Sequence, residues 1–407
     1  MDSFARGTFN VDYEARIDWD RLRRERVEKT QRHMKAEGID ALLLWQDENV
    51  RYLTSQRAIM LQYRSVTHYG VLLGQEAGPV LLTSGGEIDR VREAMPWVPH
   101  IEAIPHMTEP GLVENVTRNQ ILPHLEAFGA DRGKVGIDAA TFTMRQVFEK
   151  VLAGVEWVDG EHFMYLSRVQ KLPDEIQALQ EATAIADAVT QTAIDHVRAG
   201  VRECEVAAEA MRTLFRLGGE FAHLASPFVA SGERMSPPTR FATDKIIRHG
   251  DIVFIDIGAM WGGYFGDVGR TVICGKPSRR QQEIYTAVYE CLHAGVEQMR
   301  PGNTNVRATR AFLDKAAEHG LEKNFINLYI GHGCGVSPNE PPYVGEAATG
   351  AMEIEFRPDM VFAIEPLIWV PGVRGGGGVR VEDMIWVRED GPEYMSRAPY
   401  CEELLIQ

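Results

Sequence analysis

Residues 250–271 read GDIVFIDIGAMWGGYFGDVGRT, and the two aspartates in that stretch, Asp256 and Asp267, set the problem. Asp251 to Gly258 has the pattern of a strand running into a turn, Met260 to Gly263 supplies the reversal, and Tyr264 to Cys274 returns as a second strand. A turn centred between Trp261 and Gly262 would set Asp256 opposite Asp267, on one face of the hairpin. Two like charges so placed repel, and a cation between them is the natural resolution. The device recurs in Met360 to Glu365 and Val379 to Trp386, which would set Glu365 beside Glu382 across a connection containing Gly375 to Gly378. Between the hairpins lies Ile330-Gly-His332-Gly-Cys-Gly335, whose glycines let backbone approach closely and leave an imidazole available. A single acid at a strand end is ordinarily solvated, and a lone histidine is ordinarily structural. Ionised groups within apolar strands need partners, however. Asp256, Asp267, His332, Glu365 and Glu382 form a donor set that suits hard or borderline divalent metals, with charge enough for two ions. The sequence reads as a metalloenzyme.

The rest of the chain narrows its class. A length of 407 residues predicts more than one core. The excess of 58 acidic over 43 basic residues argues against a nucleic-acid surface. Five scattered cysteines without a C-x-x-C pair indicate neither a disulfide framework nor a zinc knuckle. No signal-peptide pattern opens the chain, and no apolar run approaches the ~20 residues of a membrane span. The expectation is a soluble, cytoplasmic protein with no nucleic-acid or membrane partner.

Helical patterns at 19–37, 110–128 and 143–152 alternate with apolar segments at 41–45, 50–53, 69–73, 79–83 and 135–137, read as strands. This predicts an α/β domain over residues 1–168. Pro173 opens a long helix from Asp174 to Arg198 with an apolar stripe of Ile176, Leu179, Ala182, Ile185, Val189, Ala193 and Val197. Residues 169–407 are predicted to form an α+β domain that carries the chemistry, with further helices at 203–217, 279–299 and 305–319. The glycine run lacks the strand-loop-helix context of a phosphate loop and reads as a flexible hairpin connection. Cys334 sits beside His332, but no second histidine nearby in sequence could activate it as a nucleophile.

These segments resemble the pita-bread metallopeptidase family, which includes methionine aminopeptidase, aminopeptidase P, prolidase and the non-metal creatinase. The likeness is carried by Lys171-x-Pro173-x-Glu175-Ile176, by the 250–271 stretch and by Gly331-His332-Gly-x-Gly335. Ile364-Glu365-Pro366 and Gly378-Val-Arg380-x-Glu382-Asp383 complete it. The resemblance implies an α+β, creatinase/prolidase-like chain with an N-terminal α/β domain and a C-terminal pita-bread domain. It also implies a homodimer and two divalent ions (Mn, Fe, Co or Zn). In its terms Asp267 and Glu382 bridge the ions, Asp256 holds the first, and His332 with Glu365 holds the second. Glu365 is then the candidate for handling the proton of an activated water.

The family pattern breaks in two places. Asn339 stands where these peptidases carry a histidine seven positions after the ligand histidine, and it cannot titrate. Ser236 to Arg240, about seventeen positions before Asp256, holds no histidine either. Candidate substitutes are His223, which reads first as structural, Tyr264 and Arg240, with Tyr63, Arg64 and His68 from the first domain. The leading expectation is metal-dependent hydrolysis of an amide or related C–N bond in a small molecule or dipeptide, an Xaa-Pro dipeptide being the family default. A second reading is a lyase resembling the pita-bread dimethylsulfoniopropionate lyases, which also lack those histidines. Arg51-Tyr-Leu-Thr54 and Met60-Leu-Gln62 are loosely similar to theirs. A third is a non-catalytic binding protein on the same fold.

Overall fold

A computed structural model describes residues 17–57, 67–223, 227–235, 240–327, 329–345 and 353–406. Met60 to Gln62, Tyr63, Arg64 and Ser236 to Thr239, named above, lie outside them. The chain divides into two compact units, Ile17–Arg168 and Val169 onward. No helix among the described residues is long and apolar enough to cross a membrane.

The first unit is built on a sheet of β1 (Ala41–Leu44), β2 (Gly70–Gly74), β3 (Val80–Ser84), β4 (His100–Ile104), β5 (Lys134–Ile137) and β6 (Glu156–Asp159), in the order β4-β3-β2-β1-β5-β6. Strands β1 to β3 pair antiparallel and the outer pairs are parallel. The helix Trp19–Glu37 starts where Asp18 accepts a hydrogen bond from the Arg21 N–H and stops at Gly38, whose φ is 67°. The expected helix at 110–128 has a π-turn at Thr117–Ile121 just before Pro123, which lacks the N–H that a regular ladder would need. Residues 50–53 are not a strand. They belong to the helix Asp47–Thr54, in which Asn49 to Thr54 are all buried. Burial on every side erases the periodicity that separates helix from strand. The readable signal was the acidic first turn, Asp47 and Glu48. Asp138 fixes that turn by accepting from the N–H groups of Trp45 and Gln46 and from the Asn49 amide.

The second unit wraps short sheets with four long helices, Pro173–His196, Glu203–Arg216, Arg279–Val296 and Asn305–Glu318. Ser278 and Gln281 exchange hydrogen bonds at the start of the third, and Thr304 caps the fourth. β7 (Phe228–Ser231), β8 (Ile252–Asp256), β9 (Ala259–Trp261), β10 (Tyr264–Gly266) and β11 (Gly269–Ile273) make the first hairpin region. β12 (Gly331–Gly333), β13 (Glu340–Val344), β14 (Val361–Ile364), β15 (Leu367–Trp369), β16 (Gly378–Arg380), β17 (Asp383–Arg388) and β18 (Gly391–Tyr394) make the second. Lys171 and Glu340 form a buried ion pair of 3.0 Å, tying the entry of the first helix to β13. Lys171→Met should cost about 3–5 kcal/mol, because breaking a buried pair costs more than never having one. Chemical denaturation checks this, with the double variant Lys171→Met/Glu340→Gln expected to recover part of the loss.

Two further expectations need correction. Asp256 pairs with Gly269 rather than with Asp267, and the same register continues through Met260 opposite Phe265. The turn is the two-residue Gly262-Gly263, with φ of 58° and 84°, so its centre lies one residue later than the sequence reading put it. Asp267 falls in the break between β10 and β11. The glycine run 375–378 is not a loose connection. A Cβ on Gly375 would lie 1.9 Å from the Gly250 carbonyl oxygen, and one on Gly378 would lie 2.2 Å from that of Met235. Glycine is needed there because backbone packs on backbone. Gln281 donates to the carbonyls of Gly250, Arg374 and Gly376 from beneath.

Candidate metal centre

Asp256 ends β8, Asp267 sits in the break of its hairpin, and His332 is central in β12 between β13 and β14. In the second hairpin Ile364 faces Asp383 and Leu367 faces Arg380, one register on both sides of an interruption where Glu365 and Glu382 lie. The hairpins are sewn together by an antiparallel bridge between Gly269 and Glu382. All five predicted ligands are buried. Donor atoms of Asp267, His332 and Glu382 lie within 4.8 Å of one another, as do those of His223, Asp256 and Asp267, so Asp267 belongs to both groups. Glu365 joins neither triad, but its Oε1 is 3.5 Å from His332 Nε2. His332 Nδ1 donates to the Gly333 carbonyl at 3.0 Å, which leaves the Nε2 lone pair facing Asp267 and Glu365.

Charge here is unbalanced. Arg380 contacts Asp256 through one amino group and Glu365 through the other, at 2.7 Å, and lies 3.6 Å from Glu382. Its guanidinium also stacks 4.5 Å over the Phe254 ring. Set against four carboxylates, one guanidinium leaves a surplus of negative charge. Each like-charged pair about 4 Å apart costs on the order of 4 kcal/mol at an effective dielectric near 20. Accordingly burial, and then the neighbouring acids, push the carboxyls of Asp267 and Glu382 well above the usual carboxylate range. Asp256 Oδ1, Asp267 Oδ1 and Glu382 Oε2 are buried with no hydrogen-bond partner among the described residues. Orphaned, crowded, oxygen-rich donors around one imidazole fit divalent cations.

The remaining candidates are dispersed. Tyr264 is fully buried, and its hydroxyl donates to Glu175 at the start of the Pro173 helix. Asn339 and Arg240 are exposed. His68 lies in the first unit, its ring 3.8 Å from that of His106. Cys334 donates its thiol proton to the Phe265 carbonyl, and burial raises the thiol well above its ordinary range, so the structure gives it no nucleophilic role. His223, by contrast, reaches the cluster, with Nε2 3.3 Å from Asp256 and 3.6 Å from Asp267.

Two residues near the site were given no role in the sequence reading. Arg380 could have been found, since it lies two positions before Glu382 in a strand and shares its face. Tyr329 left no such signal. Its ring stacks on His332 at 5.9 Å, and burial, then the Glu365 charge, raises its phenol. Asn339 is near enough to offset that rise slightly, but no hydrogen bond of normal geometry reaches the buried Tyr329 hydroxyl among the described residues.

The scaffold behind Glu382 is built closely. Arg270 donates to the carbonyls of Gly269, Glu382 and Ala398 and to Asp383, which also accepts from Ser396 and Tyr400. Gly269 is required by contact, because a Cβ there would stand 2.7 Å from Glu382 Oε2 and 3.1 Å from its Cβ. Gly269→Ala should therefore displace Glu382 and lower divalent-metal affinity by about 10–100-fold, the range seen when groups that orient ligands are altered. A Co(II) titration followed by absorbance measures it.

Fold and site together define a metal-dependent hydrolase of two-domain, creatinase/prolidase-like architecture. The chain belongs to metallopeptidase family M24, whose family model matches residues 177–389, and the creatinase/prolidase N-terminal domain model matches residues 26–170. It is 30% identical to an uncharacterized peptidase, YqhT, of Bacillus subtilis (strain 168), over 91% of this chain and 96% of that one. It is 29% identical to an Xaa-Pro dipeptidase of Pyrococcus horikoshii, over 92% of this chain and 97% of that protein. Among solved structures it resembles an Xaa-Pro dipeptidase from Bacillus anthracis with a TM-score of 0.78 and 26% identity, covering 93% of this chain and 98% of that one.

Proposed function

We propose that this protein is a dinuclear metal-dependent hydrolase that opens the amide bond of a small substrate, with Xaa-Pro dipeptides the first to test. The observation that carries this reading is Asp267, shared by two donor triads and left with a buried oxygen that has no hydrogen-bond partner among the described residues. Asp256 and Asp267 would hold one divalent ion, and Asp267, His332, Glu365 and Glu382 the other, with Asp267 and Glu382 reaching both. Bound there, the two ions would polarise the scissile carbonyl and lower the pKa of a water. Glu365, held by Arg380 on one side and next to His332 on the other, is placed to take and return a proton. Arg380 also bridges Asp256 and Glu365 and offsets part of their charge. Similarity to dipeptidases supports the substrate class.

One feature favours a second reading, a lyase acting beside a substrate carboxylate. Asn339 is exposed and non-titratable where a peptidase histidine is expected. A panel of Xaa-Pro dipeptides, cyclic amidines and dimethylsulfoniopropionate, run with Mn, Fe, Co and Zn, decides between the two. Dipeptide turnover abolished by a chelator and restored by metal is the expected result. Turnover of the sulfonium substrate alone would replace the hydrolase with the lyase, and a chain that binds none of the four metals would end both.

A further inference from the structure

Tyr329 is held firmly at the metal centre, yet its hydroxyl does nothing there within the chain. The next residue, Ile330, donates its N–H to the Val344 carbonyl and accepts from the Glu365 N–H, both at 2.8 Å, so the backbone is pinned on two sides where Tyr329 leads into β12. The Tyr329 ring stacks on His332, with centroids 5.9 Å and planes 28° apart. It also lies 5.4 Å from the ring of Tyr343, the residue opposite His332 across the β12–β13 ladder. Packing against both rings fixes the direction of the phenol. Other phenols of this unit engage their hydroxyls inside the protein. Tyr264 donates to Glu175, Tyr400 donates to Asp383, and Tyr394 shares a hydrogen bond with His293. The Tyr329 hydroxyl is buried and has no hydrogen-bond partner among the described residues. After burial, the Glu365 charge is the largest influence on it, which sets it within that carboxylate's field. A fixed donor left over beside a reactive cluster calls for a partner from outside the chain. We propose that Tyr329 is a further catalytic residue, its O–H donating a hydrogen bond to the oxygen of the scissile carbonyl as negative charge gathers there.

This rests on the hydrolase reading and adds a part that the ligand set does not supply. When water adds to the carbonyl carbon, the C=O electron pair moves onto oxygen, and it returns when the C–N bond breaks. Glu365 takes one proton from the water and returns one to the leaving nitrogen, while Tyr329 keeps its own proton throughout. A phenol is protonated at neutral pH, and being neutral it adds no charge to a cluster already crowded with carboxylates. A donor already aimed at the developing charge needs no rearrangement at the moment of reaction.

The test compares full-length wild type with Tyr329→Phe, which keeps the ring on His332 and removes only the O–H. In the cobalt-loaded protein, with the dipeptide that the panel selects, kcat should fall about 10²–10³-fold with KM little changed. A binding measurement accompanies it. A phosphinic dipeptide analogue, whose tetrahedral centre carries an anionic oxygen, should bind the cobalt form about 10²-fold less tightly in the variant, by calorimetry. Co(II) affinity and the circular-dichroism spectrum should not change, whereas loss of a prop for His332 would lower the affinity. Equal kcat and equal analogue affinity in the two proteins would overturn the proposal. So would a loss of Co(II) affinity large enough to account for the lost turnover. Wild-type protein that binds cobalt but neither cleaves a dipeptide nor takes up the analogue would end the hydrolase reading and this proposal with it, a result distinct from an active wild type matched by its variant.

Discussion

Replacing Asp267 with asparagine should take bound divalent metal from about two ions per chain to less than one and cut turnover on the order of 10³-fold or more, the scale of several kcal/mol of Lewis-acid stabilisation. The expectation follows from its double membership, since its oxygens lie near Asp256 and His223 on one side and His332 and Glu382 on the other. Asparagine keeps the shape but supplies one neutral oxygen where the carboxylate supplies two charged ones. The stability effect has the opposite sign. Burial and the neighbouring acids disfavour the ionised form of Asp267, so a neutral side chain relieves repulsion in the metal-free protein. Calorimetry with a chelator present should give a melting temperature equal to or above that of wild type, and elemental analysis should show the metal deficit. Two tightly held ions in the variant would show that Asp267 is not the shared ligand.

Much of this site could be read from residues alone, because its ligands are polar interruptions in apolar strands and such interruptions need partners. The second hairpin was legible in register as well. Ile364 faces Asp383 and Leu367 faces Arg380, and Glu365 and Glu382 fall in the interruption between these pairs, in the same register. The first was not, because Trp261-Gly-Gly-Tyr264 allows more than one two-residue turn, and a shift of one residue in the centre moves every partner by two. Asp256 and Asp267 meet all the same, through the break after Asp256 rather than across the ladder. Helix 47–54 was lost because a short segment buried all round carries no period. His223 was named as a candidate, but its contacts were not legible, because spacing in sequence does not encode which nitrogen the Gly258 N–H occupies. Arg380 shows the converse, a charge in an apolar strand that was visible but had no role until its partners were seen.

Glu365→Gln separates proton handling from metal holding. Glu365 lies outside both triads, with Oε2 2.7 Å from Arg380 and Oε1 3.5 Å from His332 Nε2. Glutamine can keep the Arg380 contact through its carbonyl oxygen, which turns its NH₂ toward His332. It neither accepts nor returns a proton near neutral pH. Turnover of the substrate found by the panel should fall about 10²–10⁴-fold, the usual contribution of a placed acid-base group. The loss should appear in kcat with KM little changed, since the group acts on the reacting proton rather than on substrate affinity. Metal content should stay well above that of Asp267→Asn, because Asp267, His332 and Glu382 remain to hold the ion that Glu365 would share with them. Equal loss of metal in the two variants would make Glu365 a ligand before it is a base. Near-normal kcat with metal retained would remove it from the proton path and shift attention to Tyr329, whose unpartnered hydroxyl flanks the same imidazole.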